Sequence, residues 1–267
     1  MSTLVKKYLM ALTGLVLVGF VIGHMTGNLQ MFLHPDWINA YAYKLQHLPY
    51  GLLWVVRAFL LLAVVVHIVV AVLLVIENRK ARPQGYSIHQ PLTSSFAART
   101  MRYSGLILAA FIVFHILHFT VKSVHPEMKD WETRLEGTAG AHGMESRTLW
   151  GVYDKLTNQG ANPEAASNQV HDVYRMVAVG FSPQYWYVSL FYLVSMGLLC
   201  AHLSHGVSSM FQSLGLRNAI WRARLGTAAT VIAVVVFLGF AALPAAGLLG
   251  AFDGHLETAT TAATLSH

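Results

Sequence analysis

Residues 191–215 read FYLVSMGLLCAHLSHGVSSMFQSLG, an apolar stretch that carries His202 and His205 near its middle. An ionisable side chain inside a membrane helix is costly, so the default interpretation is a functional residue that has a partner. Haem iron takes axial histidines, and haem is large and apolar enough to lie between the helices of a bundle. Two haems with two histidine ligands each would use four histidines. Deep histidines also occur in three other apolar segments, at His24, His67 and His115.

The composition is that of an integral membrane protein. Of the 267 residues, 55% are hydrophobic and only 11% are charged, whereas a soluble domain would be about 25% charged. We therefore predict an all-α membrane protein with one membrane-anchor domain over residues 1–267. The single cysteine, Cys200, lies in an apolar segment, so the chain can build no internal disulfide and no cysteine-based iron–sulfur or zinc site.

Five apolar runs are long enough for spanning helices, which need about 20 residues. The first could also be a signal peptide, but no small-residue cleavage pattern follows it, so we expect it to be retained. Residues at about 122–183 would form a large loop, in which Trp150, Tyr153 and Tyr174 indicate a folded cap. Residues at about 252–267 would form a flexible tail. The five runs cover residues 8–33, 51–76, 101–121, 184–214 and 225–249.

Loop charges predict the orientation of these helices. The N-terminus and the loops around 77–102 and 214–224 together carry ten basic residues and one acidic residue, whereas the opposite loops carry seven basic and eleven acidic residues. The positive-inside rule then places the N-terminus in the cytoplasm and the C-terminus outside, in a multi-pass protein of the cytoplasmic membrane. The large loop would therefore be external.

The depth of each histidine sorts the four into two layers. Counted from the outer end of its helix at ~1.5 Å per residue, His24 lies roughly 14 Å deep and His115 roughly 15 Å deep. His67 and His202 lie roughly 24 Å and 27 Å deep. We therefore predict an outer layer of His24 and His115 and an inner layer of His67 and His202.

A short internal repeat in the sequence supports the outer layer. Thr13-Gly14 precedes His24 and Ser104-Gly105 precedes His115, each with ten residues from glycine to histidine. The first and third helices run in the same direction, so equal spacing gives equal depth. The glycines would let helices approach closely or leave room for a porphyrin edge, and ordinary small-residue packing is the alternative interpretation.

Three stretches resemble a known family. TGLVLVGFVIGHM (13–25), SGLILAAFIVFHILHF (104–119) and HLSHGVSSMFQSLG (202–215) are similar to the two-haem cytochrome b anchor subunit of succinate:quinone oxidoreductase, respiratory complex II, and of its fumarate reductase relatives. The resemblance is weaker in HIVVAVLLVIENRK (67–80). It implies a five-helix anchor that ligates two haems b, the outer one from the first and third helices and the inner one from the second and fourth.

The HILH and HLSH motifs each offer a second histidine three residues on, which lies on nearly the same helix face. The resemblance favours the first of each pair as ligand, because His202 precedes Gly206 by four residues and Gly215 by thirteen. His118 and His205 would then hydrogen-bond a propionate or shape the pocket, and packing histidines are the alternative.

Three arginines are further candidate residues around the haems, in addition to the histidines. Arg57 is either an interfacial residue that snorkels or a cation for a propionate or the quinone site. Arg99 and Arg102 begin the third helix on the inner side, and they either face the inner propionates or serve as topology signals.

The resemblance also implies partners and a substrate. A flavoprotein carrying FAD and an iron–sulfur subunit would dock on the cytoplasmic face, and electrons would pass through the two haems to a membrane quinone, with menaquinone expected. The chain could not oxidise succinate alone. Quinone contacts are expected in the segment between the first two spans, unless that segment is merely an interfacial loop. The candidates are Gln30, His34, Gln46 and His47.

Other functions compete with this interpretation. A dihaem cytochrome b of a hydrogenase or formate dehydrogenase would share the histidine pattern, although HGVSSMFQSLG argues against it. A lipid desaturase would need histidine clusters near the cytoplasmic surface, whereas these histidines lie in the membrane core. A transporter or a structural anchor would use the histidines only for packing.

Overall fold

The computed structural model describes residues 1–81, 95–134, 169–216, 218 and 221–254. In these residues the α-helices are α1 (Thr3–Asn28), α2 (Pro35–Gln46), α3 (Leu52–Ala81), α4 (Phe96–His115), α5 (Val173–Gly180), α6 (Trp186–Ser213) and α7 (Trp221–Leu248). Strands β1 (Glu132–Arg134) and β2 (Gln169–His171) pair antiparallel. Short 3-10 turns cover Leu29–Phe32, Pro49–Gly51, Pro126–Lys129 and Pro183–Tyr185, and a π-helical turn covers Ile116–Thr120.

Five helices are long and apolar enough to cross a membrane, which confirms the predicted all-α membrane fold. The bounds differ from the predicted runs by a few residues, because charged ends continue a helix after its apolar run stops. The helix α3, for example, continues past residue 76 through Glu77, Arg79 and Lys80. The candidate spans are Thr3–Phe32, Pro49–Ala81, Phe96–Thr120, Pro183–Ser213 and Trp221–Leu248.

Four of the long helices form a bundle around a common centre. The helix α1 packs against α3 and α6, and α4 packs against α6, whereas α3 touches α4 only lightly. The pairs α1/α4 and α3/α6 therefore face each other across the two diagonals. The helix α7 lies outside this group and packs closely on α6, because its Ala229 and Ala233 are fully buried and let the two helices approach.

A folded cap covers one end of the bundle. The segment after α1, expected as an interfacial loop, is instead the helix α2, which starts at Pro35 with the His34 ring accepting from the Asp36 amide. The buried Asn39 joins α2 to α5: its Oδ1 accepts from the Tyr174 amide at 2.9 Å, and its Nδ2 donates to Asp172 Oδ1 at 3.3 Å. The cap end is the end that loop charges predict to be outer, and the names outer and inner are kept for the two ends.

The predicted flexible tail cannot begin at residue 252. Phe252 is buried and packs against Tyr174 and Phe32, which lie 5.9 Å and 5.7 Å away between ring centroids. Residues 255–267 lie outside the described residues, as do Trp150 and Tyr153. The cap described here is therefore made of α2, α5, the strand pair and the residues after α7.

An ion pair joins two helices at the inner end of the bundle. Lys6 of α1 is buried and pairs with Glu77 near the end of α3. The charged residues nearest to this pair in the chain, Lys7 and Arg79, are exposed. The pair fixes the axial offset between α1 and α3 at this end.

Candidate functional site

The four deep histidines lie on the two diagonals of the bundle. His24 is on α1 and His115 ends α4, while His67 is on α3 and His202 is on α6. The two helices of each diagonal make little direct contact with each other. The arrangement places one histidine from each of two opposite helices in each layer.

The outer pair is in direct proximity. The ring centroids of His24 and His115 are 5.8 Å apart with an interplanar angle of 80°. Phe20 stacks on His24 at 5.3 Å and Phe111 on His115 at 5.9 Å. Phe240 of α7 also lies 5.8 Å from His24, so aromatic side chains contact both histidines of the pair.

The inner pair is held from the neighbouring helices. His67 Nδ1 lies 3.0 Å from Thr13 Oγ1 on α1, and His202 Nδ1 lies 3.2 Å from Ser104 Oγ on α4. His202 also lies within electrostatic range of His67 and His205. Thr13 and Ser104 each precede the outer histidine of their own helix by eleven residues, which separates the layers by roughly 16 Å.

Exposure separates the candidate ligands from a packing histidine. His24, His67, His115 and His202 are only partly buried although they lie within spanning helices. His118, in contrast, is 0% exposed. A large ligand between the helices would therefore find ring surface on the first four and none on His118.

A tyrosine that the sequence did not single out connects the two histidines of the HILH motif. The Tyr192 hydroxyl lies 3.2 Å from His115 Nδ1 and 3.1 Å from His118 Nδ1. The π-helical turn after His115 accompanies this contact, and such turns occur often at functional sites. His118 also stacks on Phe119 at 3.9 Å, and its Nε2 has no hydrogen-bond partner in the described part of the chain. The Tyr192 hydroxyl therefore links His118 to His115.

The three candidate arginines are exposed, and two of them lie over aromatic rings. Arg57 is exposed and lies over the Trp54 ring at 4.9 Å, which favours an interfacial anchor. Arg99 is exposed, and Arg102 is exposed over the Tyr103 ring at 5.5 Å. These contacts leave the role of topology signals as the simpler interpretation.

The candidate quinone contacts are not equivalent in the structure. Gln30 lies in the turn after α1, and its Oε1 is buried without a hydrogen-bond partner among the described residues. His34, Gln46 and His47 are exposed, and His47 stacks on Tyr43 at 4.0 Å. Gln30 is therefore the only one of the four whose polar group is both buried and unsatisfied.

Comparisons with known proteins add no identity to this geometry. The chain matches no protein-family model, no curated protein and no solved structure. The histidine layers and their partners are therefore the ground on which a function can be argued.

The Tyr192 hydroxyl gives the first testable prediction. Tyr192→Phe keeps the ring but leaves Nδ1 of His115 and of His118 without their shared partner, so we expect a loss of about 1–3 kcal/mol in stability. Thermal unfolding in detergent measures it. Tyr187→Phe, an exposed tyrosine one turn away on the same helix, is the matched control. Equal melting temperatures for the two variants would contradict a joining role for the hydroxyl.

Proposed function

We propose that the chain is the membrane cytochrome b subunit of a succinate:quinone oxidoreductase and holds two haems b with four histidines. The observation that carries this proposal is the arrangement of the histidines in two layers, each spanning a diagonal of the bundle. His24 and His115 would hold the outer haem, and His67 and His202 the inner one. The three sequence stretches quoted above supply the link to succinate and quinone.

The donor set fits haem in three respects. His24 and His115 would hold one haem between them, and their ring centroids lie 5.8 Å apart. The inner rings use Nδ1 for a hydrogen bond, which leaves Nε2 for a metal. Gly14 and Gly105 lie directly beside the inner rings and present no side chain to the central space.

The residues of the chain confine and orient this chemistry. When bound, haem b supplies one-electron transfer between ferric and ferrous iron. With two histidines for each haem, the site would be suited to electron transfer rather than oxygen chemistry. Aromatic side chains beside the outer pair, including Phe20, Phe111 and Phe240, keep water from the rings. The helices hold both layers at fixed depth.

The partners in this proposal bind at the inner end. A flavoprotein subunit with FAD and an iron–sulfur subunit would dock there, where exposed Lys7, Arg79 and Lys80 give a basic surface. The same charge pattern supports a cytoplasmic inner end and an external cap. A hydrogenase or formate dehydrogenase would need the same haem layers, so the identity of the docked partner separates that alternative.

The quinone is proposed to bind at the outer end near His24. Gln30 follows His24 by six residues. Its buried Oε1 can accept from a quinol hydroxyl, and its amide nitrogen can donate to a quinone oxygen. Asp36 is the nearby acid and is buried at the start of α2. Menaquinone is the expected quinone.

Haem content tests the proposal directly. Pyridine haemochrome analysis of the purified protein should give two b haems per chain, because four histidines supply two axial pairs. A content of zero or one contradicts the proposal.

Variants of the two histidines in the HLSH motif test which of them binds the inner haem. His202→Ala should remove the inner haem and keep the outer one, since His202 lies beside Ser104. His205→Ala should keep both haems. The reverse result would assign the iron to His205.

The partner surface gives a separate prediction. Lys80 is exposed at the inner end and Lys129 is exposed on the cap. Amine-directed crosslinking of the native complex should join Lys80 to an iron–sulfur subunit and leave Lys129 unlinked to it. Lys6 is buried in its pair with Glu77 and should not react. Links from Lys129 alone would put the partner at the cap.

The quinone site is tested with a pair of glutamines. Gln30→Leu should lower quinone turnover about tenfold, the effect of losing one hydrogen bond of roughly 1.4 kcal/mol, while haem reduction by succinate continues. Gln46→Leu, an exposed position on α2, should leave turnover unchanged. If Gln30→Leu keeps full quinone activity, the quinone binds elsewhere.

A further inference from the structure

The hydroxyl–glycine pairs at the two inner histidines are copies of one arrangement. In α1 the pair is Thr13-Gly14, and in α4 it is Ser104-Gly105. A Cβ added to Gly14 would lie 3.6 Å from His67 Cε1, and one added to Gly105 would lie 3.5 Å from His202 Cε1. Each inner ring therefore rests against a glycine while its Nδ1 meets the hydroxyl of the preceding residue.

The direction of each hydrogen bond follows from the partners of the hydroxyl. Thr13 Oγ1 donates to the Leu9 carbonyl at 2.7 Å, and Ser104 Oγ donates to the Met101 carbonyl at 3.1 Å. A hydroxyl has one proton, so its oxygen can only accept from the histidine. Nδ1 of each inner histidine must then carry the ring proton, and Nε2 keeps its lone pair.

We propose that Thr13 and Ser104 are positioning residues that fix the tautomer and ring orientation of the inner haem ligands, with Gly14 and Gly105 leaving room for the rings. This inference rests on the proposed function. The outer layer uses different partners, because His115 Nδ1 meets the phenol of Tyr192 and the Asn28 amide donates to His24 Nε2 at 3.3 Å. His24 would therefore have to release Asn28 or use Nδ1 to hold a haem. The arrangement is therefore specific to the inner layer.

The hydrogen bonds have a measurable electronic effect. An imidazole that donates from its free nitrogen is a more basic ligand, and such partners change metal affinity by about 10–100-fold. A more basic ligand favours ferric over ferrous iron. Loss of the Thr13 or Ser104 hydroxyl should therefore move the inner midpoint potential to a more positive value, and a tenfold loss of ferric preference corresponds to about 59 mV.

The experiment uses the intact complex in membranes. Thr13→Val and Ser104→Ala remove the hydroxyls, and Thr13→Ser and Ser104→Thr keep them. Redox titration and the low-spin electron paramagnetic resonance spectrum are the readouts, and the inner signal is the one lost in His67→Ala. We expect the first two variants to raise the inner potential or release the inner haem, and the conservative variants and the outer signal to stay as in the wild type.

Thr230→Val is the matched control. Thr230 Oγ1 donates to the Gly226 carbonyl at 3.1 Å in α7, so this variant loses the same kind of hydroxyl in a spanning helix without a histidine beside it. It should leave both potentials unchanged. An equal shift in Thr230→Val would overturn the inference, because the effect would then be general.

The remaining outcomes separate this inference from the proposed function. Two haems with an inner signal that does not respond to Thr13→Val or Ser104→Ala overturn the positioning role and leave the cytochrome function standing. A conservative variant as perturbed as the apolar one overturns it too, because packing rather than hydrogen bonding would be responsible. A wild-type protein without haem overturns both.

Discussion

A polar ring inside the membrane must find a partner within the bundle, and this constraint organises the contacts between helices. An unsatisfied polar group away from water costs several kcal/mol at most sites. Three of the deep histidines meet it with a hydroxyl from the adjacent helix: His67 with Thr13, His202 with Ser104, and His115 with Tyr192. These bonds join α1 to α3 and α4 to α6, which are helix pairs that pack directly. The hydrogen bonds that hold the histidines therefore also join the helices that pack together.

Local properties of the sequence were enough to predict the five candidate spans, whereas the depth of the histidines in the membrane stays a prediction. Hydropathy locates a spanning helix, and a fixed rise per residue locates a side chain along it. The outer pairing of His24 with His115 was expected from depth, and their rings are adjacent in the structure. Tyr192 was missed because its contacts depend on how α6 is rotated relative to α4. The helix α2 was missed because its mixed polarity was taken for an interfacial loop.

The repeated hydroxyl–glycine pair was visible in the sequence, but its partner histidine could not be predicted from the sequence. The equal spacing from glycine to histidine was visible, and it was assigned to the outer layer on the same helix. In the structure the repeated pair serves the inner layer on the neighbouring helix, at His67 and His202. Spacing along one helix gives depth, but the partner at that depth belongs to another helix, and only the packing decides which one.

The two helix pairs share one order of residues in the sequence. The helices α1 and α4 run in the same direction and carry the same order of hydroxyl, glycine and outer histidine, while α3 and α6 each carry one inner histidine. The pairs differ in the length of the connection between their helices, since residues 122–183 lie between α4 and α6 in the sequence. Each layer takes one histidine from each helix pair, so neither helix pair makes a complete site alone. A ligand held in both layers would bind only the assembled bundle and would stabilise it by that binding, most at α3, whose contact with α4 is slight.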